Sequence, residues 1–262
     1  MRKKKIIILT TDTPHHRFFI NYLMNFKSKD IKIEKIFFEE KTKNNQELFK
    51  KYILKTNKSF LNKLFFNPYI RTGIHEKLQL KFEKNKFNKK CNLILNEDLI
   101  SVVSDINSNQ VLEFLKKNKY DIMFVYGTSK IEEKIFKTPK YGAINAHGGF
   151  LPEYRGLDTN LWALFNGEYS KVYSTIHKVE KNFDTGEVLM EKRLPNDKLG
   201  FIKMRYFVTL DICEMTVDAM NNCISNKYIK KENNCFSKYY YPMPILIKIW
   251  IFLKLLFIKR ND

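Results

Sequence analysis

Short apolar runs alternate with helically spaced segments along the first half of the chain. Lys5–Thr11 (KIIILTT) is a continuous apolar run that ends in two threonines, and it predicts a buried strand. Pro14–Phe26 opens on proline and repeats apolar positions at helical spacing, which predicts a helix. Ile31–Glu40 alternates and then runs apolar, so a second strand is expected there. The stretch 41–90 is basic and mostly helical in pattern, with Asn67-Pro68 and Gly73 as its main breakers, and reads as an insertion or an extended helical connection. Strand and helix then return. Asn107–Lys119 predicts a helix capped by Asn or Ser, Tyr120–Gly127 a buried strand, Ser129–Phe136 the start of a helix, and Tyr141–Gly149 another strand. This alternation predicts an α/β fold with a doubly wound, parallel, Rossmann-like sheet. Such sheets bind ligands beyond the carboxyl ends of their strands. Gly127–Lys130 and Asn145–Gly149 both stand at such ends.

Beyond residue 150 the pattern predicts a short capped helix at Asp158–Glu168, a strand at Lys171–Val179, and a turn feeding a further strand at Asn182–Leu194. A long helix at Phe201–Ile224 completes a main domain over 1–226, leaving a C-terminal extension over 227–262. Within the extension, residues 245–258 are nearly all apolar, interrupted by Lys248 and Lys254. As a helix they would reach roughly 21 Å, short of a bilayer core of about 30 Å. Two readings stand: a peripheral membrane contact through 245–260, with Lys259 and Arg260 at the head groups, or a helix packed in a core or a homodimer interface. The apolar run at Ile6–Leu9 stops at Thr10, too early for a signal peptide.

Charge changes this picture only in part. The chain has 47 basic and 28 acidic residues among 262, a formal +19. A surplus of that size suits a polyanionic partner or an anionic membrane. It equally suits the excess of Lys, Asn, Ile and Phe that an AT-rich genome imposes. Cys91, Cys213, Cys223 and Cys235 form no C-x-x-C pair. They read as free thiols of a reducing cytoplasm, with no metal site expected.

The chemistry concentrates in Ile144–Gly156 (INAHGGFLPEYRG). Asn145 and His147 are two apart on a strand, so their side chains share a face. Fixed amide and imidazole donors suit a developing oxyanion, and Gly148 and Gly149 leave room for a sharp turn and a close ligand. Asp184 follows 37 positions after His147 (184 − 147), in a turn. A carboxylate there can orient the imidazole or accept a proton. Ser129, Ser170 and Ser174 lack the G-x-S-x-G elbow of an enzyme nucleophile, so the nucleophile is expected to belong to the substrate.

The longer string, Asn145–Gly156, then a helix with Trp162, then Ser174–Leu189, resembles the formyltransferases that use 10-formyltetrahydrofolate. That family carries N-x-H, L-P-x-x-R-G, H and D-x-G in this order. The resemblance implies that Asn145, His147 and Asp184 are the catalytic trio. A substrate amine attacks the formyl carbon, Asn145 and His147 steady the oxyanion, and Asp184 orients His147 and helps remove the amine proton. It places the folate near Tyr126, Gly127, Thr128, Ser129 and Ile131 and beside Val179 and Phe183. Gly148 and Gly149 depart from the Pro-Ser or Gly-Ser often found after the histidine. Among acceptors, the purine-pathway members have a glycine-rich loop where this chain reads TTDTPHHRF, Thr10–Phe18. Methionyl-tRNA members carry a C-terminal β-barrel, for which the 78 residues after Asp184 (262 − 184) leave no room, and nucleic acid is not expected as a partner. The resemblance therefore points to an amino sugar, nucleotide-linked, in cell-surface glycan or lipopolysaccharide synthesis. Formyl transfer to methionyl-tRNA or another amine, formyltetrahydrofolate hydrolysis and an inactive membrane-associated binding module are the alternatives. His15, His16 and Arg17, at a helix start, are candidates for the acceptor's phosphates or a solvated helix start. Arg155 either touches the substrate or braces its loop. His177 reads as a packed histidine, and His75 receives no role.

Overall fold

The structure, a computed structural model, describes residues 3–26, 29–40, 73–88, 97–225 and 237–257. Its strands are β1 (Lys4–Thr11), β2 (Ile31–Glu39), β3 (Ile100–Val103), β4 (Ile122–Tyr126), β5 (Ala143–His147), β6 (Arg155–Gly156), β7 (Tyr173–Lys178), β8 (Val188–Arg193) and β9 (Tyr239–Tyr240). Its helices are α1 (Pro14–Phe26), α2 (Gly73–Phe87), α3 (Asn109–Lys117), α4 (Glu133–Phe136), α5 (Thr159–Phe165), α6 (Met204–Ser225) and α7 (Ile245–Phe257). Seven strands form one sheet in the order β3-β2-β1-β4-β5-β7-β8, and β6 pairs with β9 in a small separate ribbon.

The first five strands of that sheet are mutually parallel, as the apolar runs predict. Ile6–Leu9 and Ile122–Val125 are buried on both sides, which is what a parallel strand under helices on both faces requires. Alternate residues feed two cores. Ile6, Ile8 and Phe124 face α1 and α6, with Phe19 stacked on Phe124 at 4.9 Å between centroids. Ile7, Leu9, Met123 and Val125 face α3 and α4, meeting Val111, Leu115 and Ile135. Each fully buried aromatic or large aliphatic side chain contributes about 1.5–3 kcal/mol. The helix α3 starts where the cap signal predicts: Ser108 Oγ accepts the Val111 N–H at 3.4 Å.

The sheet departs from the purely parallel expectation at one end. β7 runs antiparallel to β5, and β8 antiparallel to β7. β8 ends in exposed Glu191, Lys192 and Arg193, charges that guard an edge strand. Strand β3, on the other edge, has no counterpart among the strands read from the sequence. It is four residues long with Val102 61% exposed, too short and too mixed to show a period.

Of the basic stretch 41–90, residues 73–88 are described, and Gly73–Phe87 is indeed helical; 41–72 and 89–90 lie outside the described residues. Phe87 stacks on Phe18 at 4.1 Å, fixing α2 against α1. Because the chain crosses from β3 over β2 and β1 to reach β4, the carboxyl ends of β1 and β4 border the crevice where strand order reverses. β5 lies beside β4, so its own carboxyl end opens on the same side.

Candidate active site

A cavity of about 540 Å³ opens at these strand ends, within the usual range for small-molecule sites. Asn145 and His147 enter it from the carboxyl-terminal half of strand β5, and Asp184 from the loop between β7 and β8. Asp184 thus reaches the same wall as two residues 37 and 39 positions before it, because β7 returns antiparallel along β5 with Asn145 opposite His177 and His147 opposite Thr175.

The ring of His147 is held through one nitrogen and faces a carboxylate with the other. Its Nε2 donates to the Tyr154 carbonyl at 2.8 Å. Its Nδ1 lies 3.7 Å from Asp184 Oδ1. His177 donates through Nδ1 to the Lys178 carbonyl at 2.8 Å, which leaves Nε2 to accept from Asn145 Nδ2 at 3.0 Å. An amide nitrogen carries two N–H groups; with one held by His177, the other is aimed by the same contact. Asp184 Oδ1 also stands 3.4 Å from His177 Nε2, while Oδ2 accepts the Gly156 N–H at 2.9 Å. Burial of Asp184 alone would raise its pKa. The neighbouring imidazoles of His147 and His177 and the Gly156 N–H outweigh it and hold the carboxyl well below its usual range.

Backbone geometry makes these contacts fit. A Cβ at Gly149 would sit 2.6 Å from His147 Nε2 and from Thr159 Oγ1. A side chain there would therefore displace the imidazole, which accounts physically for the second glycine of Asn145–Gly149. Gly156 has φ +104°, and a Cβ there would meet the Tyr240 carbonyl oxygen at 2.2 Å. The close β6–β9 pairing that presents the Gly156 N–H to Asp184 thus depends on glycine.

All seven residues expected near the folate line the cavity: Tyr126, Gly127, Thr128, Ser129 and Ile131 on one side, Val179 and Phe183 on the other. The 127–131 loop is pinned by Glu39, a buried carboxylate at the end of β2, which accepts from Ser129 N at 2.6 Å and Ser129 Oγ at 2.5 Å. The Ser129 hydroxyl is thereby directed at the protein. The Tyr126 phenol is pushed up by burial and is a neutral donor at physiological pH.

The candidates for the acceptor's phosphates divide. His15 lines the cavity, but inside a buried network: its Nδ1 meets Glu83 Oε2 at 3.1 Å, and Glu83 also takes Arg205 Nε and Nη2 at 2.5 and 3.0 Å. His16 is buried too, edge-on to Tyr126 at 4.4 Å between centroids, so neither histidine is a solvated helix start. Arg17 points away and chelates Asp12, with Nη2 2.7 Å from Oδ2. Arg155 donates from Nε to the Phe183 carbonyl at 3.0 Å and from Nη1 to the Ser237 carbonyl at 3.2 Å, and is not among the lining residues. Of its two readings, bracing is the one this geometry carries.

Sequence reasoning passed over several lining groups. His177, read as packed, is packed and also touches two of the trio. His75, given no role, lines the cavity with its Nε2 at 3.1 Å from the Phe201 carbonyl, and burial holds its pKa below 6.5. Lys248, a break in an apolar run by sequence, is buried beside the cavity and pairs with Asp158 Oδ2 at 2.8 Å. No group of three or more His, Cys, Asp or Glu among the described residues could hold a metal ion.

A Rossmann-like sheet thus brings an amide, an imidazole and a carboxylate to one cavity beyond its strand ends. Residues 72–198 match the model of the formyl transferase family. Methionyl-tRNA formyltransferase of Clostridium novyi is 30% identical over 137 residues, 50% of this chain and 44% of that protein. GDP-perosamine N-formyltransferase of Brucella melitensis biotype 1 is 35% identical over 89 residues, 34% of either chain. The chain spans less than half the length of these curated relatives. The N-formyltransferase of Helicobacter canadensis, solved with folinic acid and dTDP-3-aminofucose, shares the fold with a TM-score of 0.53 at 17% identity, over 92% of this chain and 71% of that one.

Proposed function

We propose that the protein transfers a formyl group from 10-formyltetrahydrofolate to the amine of a nucleotide-linked amino sugar, for cell-surface glycan such as lipopolysaccharide. The observation that carries this reading is the convergence of Asn145, His147 and Asp184 with both folate-candidate segments on one cavity. Apolar Ile131 and Val179 beside the polar 127–129 backbone fit a flat, partly polar heterocycle. When bound, the folate supplies an activated formyl carbonyl. Asn145, through its remaining N–H, steadies the carbonyl oxygen as charge develops on it. His147 holds the adjoining wall and faces Asp184. Asp184, kept ionised, accepts the proton that the attacking amine loses. The bond to the amine forms at the formyl carbon, the bond to the folate nitrogen then breaks, and the proton taken up by Asp184 passes to that nitrogen.

The sugar acceptor is favoured by the matches to a GDP-perosamine enzyme and to a fold solved with a dTDP-amino sugar. The match to a methionyl-tRNA enzyme is the observation behind the second reading, an aminoacyl-tRNA acceptor. A folate co-substrate and the buried free thiol of Cys213 fit a cytoplasmic setting.

The test is turnover with 10-formyltetrahydrofolate against a panel of nucleotide-linked amino sugars, with methionyl-tRNA in parallel. Sugar-dependent folate release, with a product heavier by one CO and loss of turnover in Asn145→Ala and His147→Ala, is expected. Release without any acceptor would identify a hydrolase instead, and transfer to methionyl-tRNA alone would select the second reading.

A further inference from the structure

The helix α7 is apolar on its outer face as well as its inner one. Ile247, Lys248, Ile251 and Leu255 turn inward, with Ile251 only 1% exposed and Lys248 held by Asp158. The outward face carries Leu246, Ile249, Trp250, Phe252, Leu253 and Leu256, each 39–62% exposed. At 3.6 residues per turn these six cover an arc of roughly 160°. The outer face of a surface helix is ordinarily charged. Here a single cation borders the apolar arc: Lys254, whose Nζ lies 4.8 Å from the Trp250 ring centroid and 5.6 Å from that of Tyr169. Tyr241, four positions before the helix, is 62% exposed. A contiguous patch of this kind on an otherwise charged protein marks an interaction surface.

We propose that α7 docks the protein on an anionic lipid surface, lying in the plane of the interface with its outer face in the boundary between head groups and acyl chains. The composition of the face, Leu, Ile and Phe around a tryptophan and bordered by lysine, is that of an interfacial helix. No helix of the described residues is long and apolar enough to cross a membrane, so the helix lies on the surface. Charge selects the occupant. The chain carries +19, the helix contains no acidic residue, and the sequence continues with Lys259 and Arg260. An anionic surface complements that charge, whereas a second copy on this face would bring +19 against +19. The inner side of the same helix supplies Lys248 to the cavity wall, so docking seats the acceptor site one helix diameter, about 10 Å, from the lipid.

The test uses the full chain and point substitutions, because truncating at Pro244 would strip Lys248 from the cavity. Sedimentation with vesicles of phosphatidylcholine, with and without phosphatidylglycerol, reads binding independently of turnover, so its failure leaves the formyl-transfer reading standing. Expected are binding to the anionic vesicles, weakening with salt, and at least about a tenfold lower bound fraction for Ile249→Glu/Leu253→Glu. Leu256→Glu, at the most exposed position of the face, should show a smaller loss in the same direction and guards against misfolding of the double variant. Absence of vesicle binding, or equal binding by wild type and variants, overturns the proposal. So does a dimer in sedimentation velocity that Leu253→Glu dissolves, which would make a second copy the occupant.

Discussion

Asn145 and His177 are direct partners across the β5–β7 ladder, and Asn145 Nδ2 lies 3.0 Å from His177 Nε2. The histidine thereby sets which way the amide faces the cavity. It acts through Asn145 and is a positioning residue. His177→Ala should lower kcat by about 10- to 100-fold, less than the ~10²- to 10³-fold expected for loss of the donor itself in Asn145→Ala. The KM for the folate should change little. Steady-state kinetics of the two variants check this, and an equal loss in kcat and gain in KM for His177→Ala would speak for a binding role instead.

Asp184 provides a pH test. Its folded pKa lies below the ordinary 3.8. A group with a depressed folded value adds stability above its unfolded pKa, and that stability is lost as pH falls toward the folded value. Wild-type stability against urea should therefore decline below about pH 4, more steeply than in Asp184→Asn. Activity limbs in the neutral range should not move with this carboxylate.

Gly149→Ser restores the residue type common after the histidine in related formyltransferases, yet it should harm this protein. The new Cβ would meet His147 Nε2 at 2.6 Å. A drop in kcat of at least about tenfold is expected, from a displaced imidazole. Unaltered turnover would mean that Thr159 yields instead of His147.

Glu83 is fully buried between His15 and Arg205. Replacing it with Gln leaves the partly exposed guanidinium without its carboxylate, a loss of about 1.5–3 kcal/mol for a charged hydrogen bond. Thermal melting of Glu83→Gln should show it. Leucine in place of all three residues should recover part of the loss, since apolar packing substitutes well for a buried ion network.

His75 should set the mildly acid limit of stability. Burial lowers its pKa from 6.5, so the folded state resists a proton that the unfolded chain takes up. Stability is lost as pH falls from about 6.5 toward the folded value. His75→Gln should flatten that slope, seen as a smaller difference in urea midpoint between pH 7 and pH 5.

Much of this was legible in the sequence for local reasons. The apolar runs at Ile6–Leu9 and Ile122–Val125 fix strands buried on both faces, and spacing alone places Asn145 and His147 on one side of β5. What escaped was decided by long-range pairing. Nothing near His177 announces that β7 folds back on β5, so its contacts with Asn145 and Asp184 carry no local signal. His15 and Glu83 meet across 68 positions. Lys248 breaks an apolar run on paper but pairs with a residue 90 positions earlier (248 − 158). The exposed apolar face of α7 was hidden because a nearly all-apolar helix gives no clue to which face will be covered.

Arg155 joins the Phe183 carbonyl beside Asp184 to the Ser237 carbonyl at the start of the C-terminal ribbon. A single guanidinium thus couples the reacting end of the cavity mechanically to a segment more than fifty positions downstream of it. The C-terminal extension is therefore not an interchangeable module. A chimera that took it from another formyltransferase would have to bring a matching arginine and aspartate loop along, or the carboxylate would drift from its histidines while every residue of the trio stayed in place.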